Sequence, residues 1–179
     1  MKNEQIAIFA GGCFWCTEPV FSQFKGVSKV ISGYIGGHTH NPTYKTICNG
    51  DTGHAEAIQI TFDADQISFD TLLEIFFVSH DPTTPNRQGN DVGTQYRSAV
   101  FCQNAAQYDA VEKMIAALNE AAVFNAPIVT QIKGADTFYP AEDYHQYYFA
   151  NNPNQPYCMA VAAPKAAKIR AKYAQLIKG

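Results

Sequence analysis

A chain of 179 residues, 46% hydrophobic and only 16% charged, is long enough to bury a substantial core as one domain, residues 1–179, and too apolar for disorder. A formal net charge of −3 gives no electrostatic basis for nucleic-acid binding, and no apolar run approaches the roughly 18 residues of a membrane span. Five cysteines are an odd number and too sparse for a secreted disulfide scaffold, and Met1 to Gln5 lack the pattern of a signal peptide, so a reducing cytoplasm is expected.

In chain order, residues 5–10 predict a first strand that ends at Gly11-Gly12. A helix follows from about Cys13 to Phe24 and closes near Gly26; Glu18 and Pro19 read as part of its opening, where acidic residues and proline are tolerated best. Val27 to Tyr34 is a second strand, and 36–53 a Gly-, His- and Asn-rich loop too long for a simple turn. Ala55 to Phe62 alternates, with Ile58, Ile60 and Phe62 on one face of a half-buried strand. Ser68 caps a helix from Phe69 to Ser79, and a second long loop covers 80–94. Tyr96 to Cys102 is a strand, Asn104 caps a helix from Ala105 to about Glu120, and Ile128 to Ile132 is a further short strand. Glu142 to Phe149 predicts a short aromatic-rich helix, and Lys165 to Ile177 an amphipathic one whose lysines read as a solvated face. Strands and helices alternate irregularly, which points to the α+β class.

The chemistry concentrates at Gly11-Gly12-Cys13-Phe14-Trp15-Cys16. Cys13 falls at or just before a helix N-terminus, where free backbone N–H groups and the helix dipole favour an anion, and the thiolate is the nucleophilic form of cysteine. A lone cysteine is most often a small buried hydrophobe; the glycine pair, the helix start and the second thiol argue for reactivity. Phe14 and Trp15 would wall a small apolar pocket. Residues three apart on a first turn have Cβ atoms roughly 5–6 Å apart, and a disulfide needs about 3.5–4.5 Å, so a Cys13–Cys16 bond requires modest adjustment.

Glu56 begins a strand, where a lone Glu ordinarily faces solvent. Facing inward, its pKa would rise by desolvation and it could donate a proton near neutral pH. Tyr44 and Tyr96 could offer hydroxyls to a polar substrate oxygen, although most tyrosines pack with a wet tip. Asp91 lies among turn residues, where a bond to nearby backbone is the ordinary role. Cys102 reads as core and Cys48 as a loop thiol without a partner. Cys158 lies in a Pro/Asn-rich segment that could approach an active site. The residues alone describe a thiol enzyme with an acid and hydroxyl donors.

Three segments carry a resemblance: Gly12-Cys13-Phe14-Trp15, Gly53-His54-Ala55-Glu56, and Gln88 to Ser98. In this order they resemble the methionine sulfoxide reductase A family from about Ile6 to Pro164. The resemblance implies that Cys13 attacks the sulfoxide sulfur, Glu56 protonates its oxygen, and Tyr44 and Tyr96 hydrogen-bond that oxygen. It further implies that Phe14 and Trp15 hold the methyl group and that Asp91 positions the substrate. The reaction would leave methionine and a Cys13 sulfenic acid, which a second thiol condenses to a disulfide. Thioredoxin is the implied reductant, the S epimer of free or protein-bound methionine sulfoxide the implied substrate, and no metal or cofactor is called for. The family's motif often has Gly where this chain has Cys16, and the family varies in its resolving cysteines, which leaves that role open between Cys16 and Cys158; Cys16 is expected, because two thiols in one short segment meet without closing a long loop, with Cys158 the second candidate. The expected architecture is a central mixed, mostly antiparallel sheet flanked by helices, with a ferredoxin-like two-layer core.

Two other readings use the same thiols. A thioredoxin-like oxidoreductase would place Trp before the first cysteine and Pro inside the pair, and it leaves Glu56 and Asp91 unexplained. A zinc site from Cys13, Cys16, His38 and His40 has suitable ligand types, but it sets two bulky aromatics at a polar metal.

Overall fold

The alternation of residues 55–62 is realised in the middle of a six-stranded sheet in the computed structural model, which describes residues 3–178. The strands are β1 (Glu4–Gly11), β2 (Val27–Ile35), β3 (Ala55–Asp63), β4 (Arg87–Gln88), β5 (Asp91–Val92), β6 (Ser98–Phe101), β7 (Gln131–Lys133) and β8 (Tyr139–Pro140). The α-helices are α1 (Phe14–Ser22), α2 (Tyr44–Cys48), α3 (Phe69–Ser79), α4 (Ala105–Glu120), α5 (Tyr148–Asn151) and α6 (Ala163–Lys172). The sheet order is β7-β6-β1-β3-β2-β8, antiparallel throughout except for the parallel pair β6–β7, and β4–β5 form a separate small hairpin. The class is α+β, a mixed and mostly antiparallel sheet flanked by helices.

One face of the sheet carries the main core. Phe9, Val30, Ile58, Ile60, Phe62 and Val100 meet Val20 and Phe21 of α1 and Leu72, Leu73 and Phe76 of α3. Phe9 stacks on Phe76 at 4.8 Å. Burying one such ring is worth about 1.5–3 kcal/mol, so this face holds α1 firmly against β1 and β3. The opposite face carries a smaller cluster of Ile8, Ala10, Ile35, Ala55, Ala57 and Phe101. Strand residues therefore alternate between two apolar environments, as the period of two requires.

Helices α3 and α4, each with a side-chain cap, stand where the sequence puts them. Ser68 Oγ accepts the Thr71 N–H at 3.0 Å, and Asn104 Oδ1 accepts the Gln107 N–H at 2.9 Å. Each satisfies an otherwise free first-turn donor. Elsewhere the structure corrects the expectation. Helix α1 begins at Phe14 with Cys13 as its N-cap, so Glu18 and Pro19 lie within it rather than in its first turn. Glu18 is buried and accepts the Ser22 hydroxyl at 2.6 Å. The loop 36–53 contains α2, and the loop 80–94 contains the β4–β5 hairpin. The expected helix over 142–149 is broken by Tyr147 at φ +51°, which leaves a 3₁₀ turn at Asp143–His145 and the single turn of α5. Among the described residues no helix is long and apolar enough to cross a membrane.

The edge strand β8 delivers the aromatic segment 139–149 to the site, and it can do so because Gly33 opposite it has no side chain. A Cβ on Gly33 would lie 2.4 Å from Phe138 Cζ and 2.5 Å from the Tyr139 carbonyl oxygen. Gly33→Ala is expected to lower stability by about 1–3 kcal/mol through this overpacking. A denaturant midpoint equal to that of the parent protein would show that β8 yields freely.

Candidate active site

The turn from β1 into α1 places Cys13. Gly12 adopts φ +97°, and a Cβ there would come within 2.7 Å of Gln88 Cγ, so a glycine lets the β4–β5 hairpin close over the turn. Cys13 follows in extended conformation, and its carbonyl accepts the Cys16 N–H at 3.0 Å. The first free amide of the helix, Phe14 N–H, donates to Glu56 Oε1 at 3.2 Å. Glu56 sits on β3 opposite Tyr34 of β2 and shares its strand face with Ile58 and Ile60, so it points toward α1; it is 1% exposed. Its second carboxyl oxygen is buried without a hydrogen-bond partner among the described residues. That is an inward-facing acid at the start of a strand, as the functional reading of Glu56 required.

Aromatic rings build the surroundings. Phe14 is fully buried and packs against Tyr34 and His145, with centroids at 5.7 and 5.1 Å. Trp15 lies nearly parallel to Tyr148 at 3.8 Å and faces Tyr44 at 6.5 Å. Tyr44 opens α2, where Thr43 provides a capping box, and the Tyr44 N–H donates to Glu142 at 2.9 Å. The other oxygen of Glu142 accepts the Tyr34 hydroxyl, also at 2.9 Å. Glu142 therefore clamps α2 to β2 and holds Tyr44 beside Trp15. Tyr96 ends the 3₁₀ turn Thr94–Tyr96 that leads into β6. Asp91 in β5 accepts the Tyr157 hydroxyl at 2.6 Å, and the same hydroxyl receives the Cys16 thiol at 3.5 Å. A cleft of about 340 Å³ opens here, lined by Cys13, Cys16, Gln88, Asp91, Tyr157 and Lys165 among others.

Burial governs the protonation states. Desolvation pushes Glu56 up to about 8; the Phe14 N–H opposes this, and the Asp91 charge adds to it. The Cys13 thiol is pushed well above the ordinary thiol range, first by desolvation and then by Glu56 and Cys16, against the Trp15 N–H. The sequence argument that a helix start favours the thiolate is therefore corrected. One helical amide is spent on Glu56, and what remains does not offset the loss of water. Tyr44 and Tyr96 are both raised above the ordinary tyrosine range, first by desolvation, with Cys48 and then Glu56 adding at Tyr44 and Glu56 at Tyr96. Both remain phenols and hydrogen-bond donors at neutral pH.

The remaining cysteines separate clearly. All five are free thiols, Cys102 in the core and Cys48 exposed. Cys158 does not lie in an open segment; it is buried in the π-helical turn Cys158–Ala162 and clusters with Cys16 and Ala162. The proposed zinc ligands are not gathered: His40 faces Tyr139, His38 packs on Gly53, and Cys16 faces Tyr157. No group of three or more His, Cys, Asp or Glu side chains among the described residues is placed to hold a metal. Sequence reasoning missed Glu142, His145, Tyr148 and Tyr157. The one available signal was the aromatic density of 144–157, which it read as a short helix.

Comparison with known proteins follows the same segments. The family model described as peptide methionine sulfoxide reductase matches residues 5–177. A peptide methionine sulfoxide reductase MsrA of Deinococcus radiodurans is 57% identical over 175 residues, covering 98% of this chain and 85% of that protein. The MsrA of Chromobacterium violaceum is 52% identical, covering 96% and 98%. Among solved structures, Mxr1 of Saccharomyces cerevisiae in reduced form is 33% identical with a TM-score of 0.79, covering 86% of this chain and 88% of that one. Mxr1 has also been solved in complex with Trx2; that chain matches at 23% identity and a TM-score of 0.57, covering 82% and 86%.

The mutual repulsion of the ionised carboxyl and thiol makes a titration testable. Below about pH 8 Glu56 carries its proton and does not repel a thiolate; above it the carboxylate holds the Cys13 proton on. Alkylation of Cys13, followed by mass mapping to separate it from exposed Cys48, is expected to be slow at neutral pH and to rise only in alkali. Glu56→Gln removes the carboxylate charge, so the variant is expected to alkylate faster than the parent at about pH 9 and no faster at pH 7. Equal rates at the higher pH would show that Glu56 does not act on the thiol.

Proposed function

The chain belongs to the peptide methionine sulfoxide reductase family, and from that premise we propose how its own residues reduce methionine sulfoxide to methionine. The observation that carries the reading is the Cys13 thiol beside a buried Glu56 whose pKa stands at about 8. Sulfoxide oxygen is a poor leaving group until it is protonated, so an acid that still holds its proton at neutral pH is what the reaction needs. Glu56 protonates the oxygen while Cys13 attacks sulfur, and the phenols of Tyr44 and Tyr96 donate to the same oxygen. Phe14 and Trp15 enclose the methyl group, and Asp91, which here holds the Tyr157 hydroxyl, positions the rest of the substrate. Methyl pocket and oxygen donors lie on fixed sides of one sulfur, and that arrangement selects the S epimer.

The balance closes in three steps. Methionine sulfoxide and the Cys13 thiol give methionine and the Cys13 sulfenic acid. That acid and the Cys16 thiol give a disulfide and water. An external dithiol then restores both thiols and leaves oxidised. We infer thioredoxin as that dithiol, on the family resemblance and on the complex of the yeast relative with Trx2. Free thiols throughout the chain fit a reducing compartment, which supports a cytoplasmic setting. Residues 1–179 read as a single reductase domain. The frame β1-α1-β2-β3-α3-β6, with β6-β1-β3-β2 as its strand order, supports a ferredoxin-like core.

Glu56→Gln keeps the shape and loses the acid. Single-turnover reduction is expected to slow by about 10²–10⁴-fold, the usual worth of general acid catalysis. The parent rate should fall as pH rises through about 8, where Glu56 loses its proton, and the variant should show no such fall. A parent-like rate at neutral pH removes Glu56 from the acid role.

Cys16 is expected to form the first disulfide with Cys13, because two thiols in one turn meet without ordering a long loop. One equivalent of substrate without reductant, followed by thiol trapping and mass mapping, decides it. A dominant Cys13–Cys158 bond with Cys16 alkylated would transfer the role.

A further inference from the structure

Two of the three motif segments are joined by a side chain that the mechanism does not use. Arg97 directly follows Tyr96, and its guanidinium donates from Nη2 to the Gly53 carbonyl and from Nη1 to the Thr94 carbonyl, each at 2.9 Å. Gly53, at φ +77°, lies two residues before β3, whose second residue is Glu56. Thr94 opens the 3₁₀ turn that ends at Tyr96. On its remaining side the group is steadied by β7, where Nε–H donates to the Gln131 side chain at 3.2 Å. Gly36, just past β2, leaves it room: a Cβ there would lie 3.2 Å from Nη2.

Arginine is favoured where a carboxylate or phosphate is to be gripped by a fork. Here three neutral oxygens take its N–H groups, and among the described residues no carboxylate lies within ion-pair distance of it. Burial alone lowers the half-buried guanidinium from the ordinary arginine value, with no neighbouring charge adding to or opposing that shift. It stays a cation at any working pH. Nor does it act on the acid's charge, because burial, the Phe14 N–H, Asp91 and Cys13 are what move Glu56. What the fork supplies is a fixed distance, since two carbonyls that accept from one rigid plane cannot drift apart. Of the two segments it joins, β3 is already paired on both edges, with β1 and β2. The Tyr96 turn lies outside the sheet and closes on two backbone bonds, Tyr96 N–H to Gly93 at 3.0 Å and Arg97 N–H to Thr94 at 3.3 Å. The turn is the member that needs placing.

We propose that Arg97 is the positioning residue for Tyr96: its guanidinium ties the turn that carries the phenol to the strand that carries Glu56, and so fixes the two donors to the sulfoxide oxygen relative to each other. It acts through the carbonyls of Gly53 and Thr94. The inference rests on the assignment of Glu56 and Tyr96 to that oxygen.

Single-turnover reduction of methionine sulfoxide separates the limiting rate from the half-saturating concentration, free of recycling. Arg97→Lys keeps the charge and can reach one carbonyl but not both. Its limiting rate is expected to fall about 10–10²-fold, the order that a misplacement of 1 Å costs, with half-saturation within about threefold of the parent. The fall in rate with rising pH should stay at about 8. Tyr96→Phe should itself be slow, and adding Arg97→Lys to it should cost less than about threefold more, because the phenol that Arg97 places is already gone. A Lys variant with the parent's limiting rate, or losses that multiply in the double variant, overturns the inference. So does a displaced pH dependence, which would make the effect one of charge. Arg97→Gln repeats the cycle if the Lys variant does not fold; a chain that unfolds with either residue makes Arg97 a purely stabilising residue and overturns the inference as well. A Tyr96→Phe protein as fast as the parent overturns the assignment of Tyr96 itself, and the inference with it.

Discussion

Glu56 can hold a proton near pH 8 only because β3 carries it inside the molecule, where a single backbone donor, the Phe14 N–H, keeps it company. That one hydrogen bond joins the middle of the sheet to the first residue of α1. It also removes from the helix start an amide that would otherwise be free for an anion. Carboxyl and thiol are then pushed the same way by the same loss of water, and the resting site holds two neutral acids rather than an ion pair. For reduction of an S–O bond this is the useful state. A carboxylate could not give the oxygen a proton, and a cation beside the thiol would stabilise the thiolate at the cost of the acid.

The aromatic shell follows from that choice. A carboxyl stays protonated at neutral pH only where water is excluded, so the walls must be apolar, and their polar tips must be engaged elsewhere. Tyr34 gives its hydroxyl to Glu142, Tyr157 gives its to Asp91, and Trp15 gives its N–H to His145. Each bond ties a ring near Cys13 to a side chain carried by another element, and three of the residues involved, Glu142, His145 and Tyr157, lie after residue 140. Assembly of the N-terminal motif thus depends on the chain's last third docking over it through β8 and the segment 143–158.

This division explains what could be read from the sequence. Helices α3 and α4 carry their own caps in Ser68 and Asn104, and β3 carries a clean period of two, so local chemistry sufficed there. The same periodicity puts Glu56 on the face of Ile58, and inward burial follows from that face alone. The short strands were lost because pairing over distance, or a hairpin too brief to show a period, makes them. The two residues of β8 pair only because Gly33, more than 100 positions earlier, leaves room, and β4–β5 is a hairpin of two-residue strands. Partners of the aromatic shell are separated by 66 to 130 residues, and no spacing rule reaches that far. The thiolate expectation at Cys13 failed for a related reason. A helix start is visible in sequence, whereas the desolvation that outweighs it is a property of the assembled cleft.

For Cys13 as the proposed nucleophile, being held as a thiol looks like a handicap, yet it suits the proposed chemistry. Oxidation of cysteine by small oxidants follows thiolate character and exposure. A Cys13 that stays protonated in the empty site is therefore shielded under the conditions that generate methionine sulfoxide. The Cys16 thiol is likewise raised by burial, and Cys158 beside it, so the neighbouring sulfurs rest in the same protected state. In the proposed reaction, the carboxylate left when a sulfoxide oxygen takes the proton from Glu56 is the nearest base for the Cys13 proton, so the thiol would gain nucleophilicity as sulfur becomes electrophilic. Intrinsic thiol nucleophilicity falls as pKa falls, so a high-pKa sulfur, once deprotonated in place, is the stronger attacker. Burial thus ties reactivity to an occupied site, which a surface thiolate of low pKa could not do.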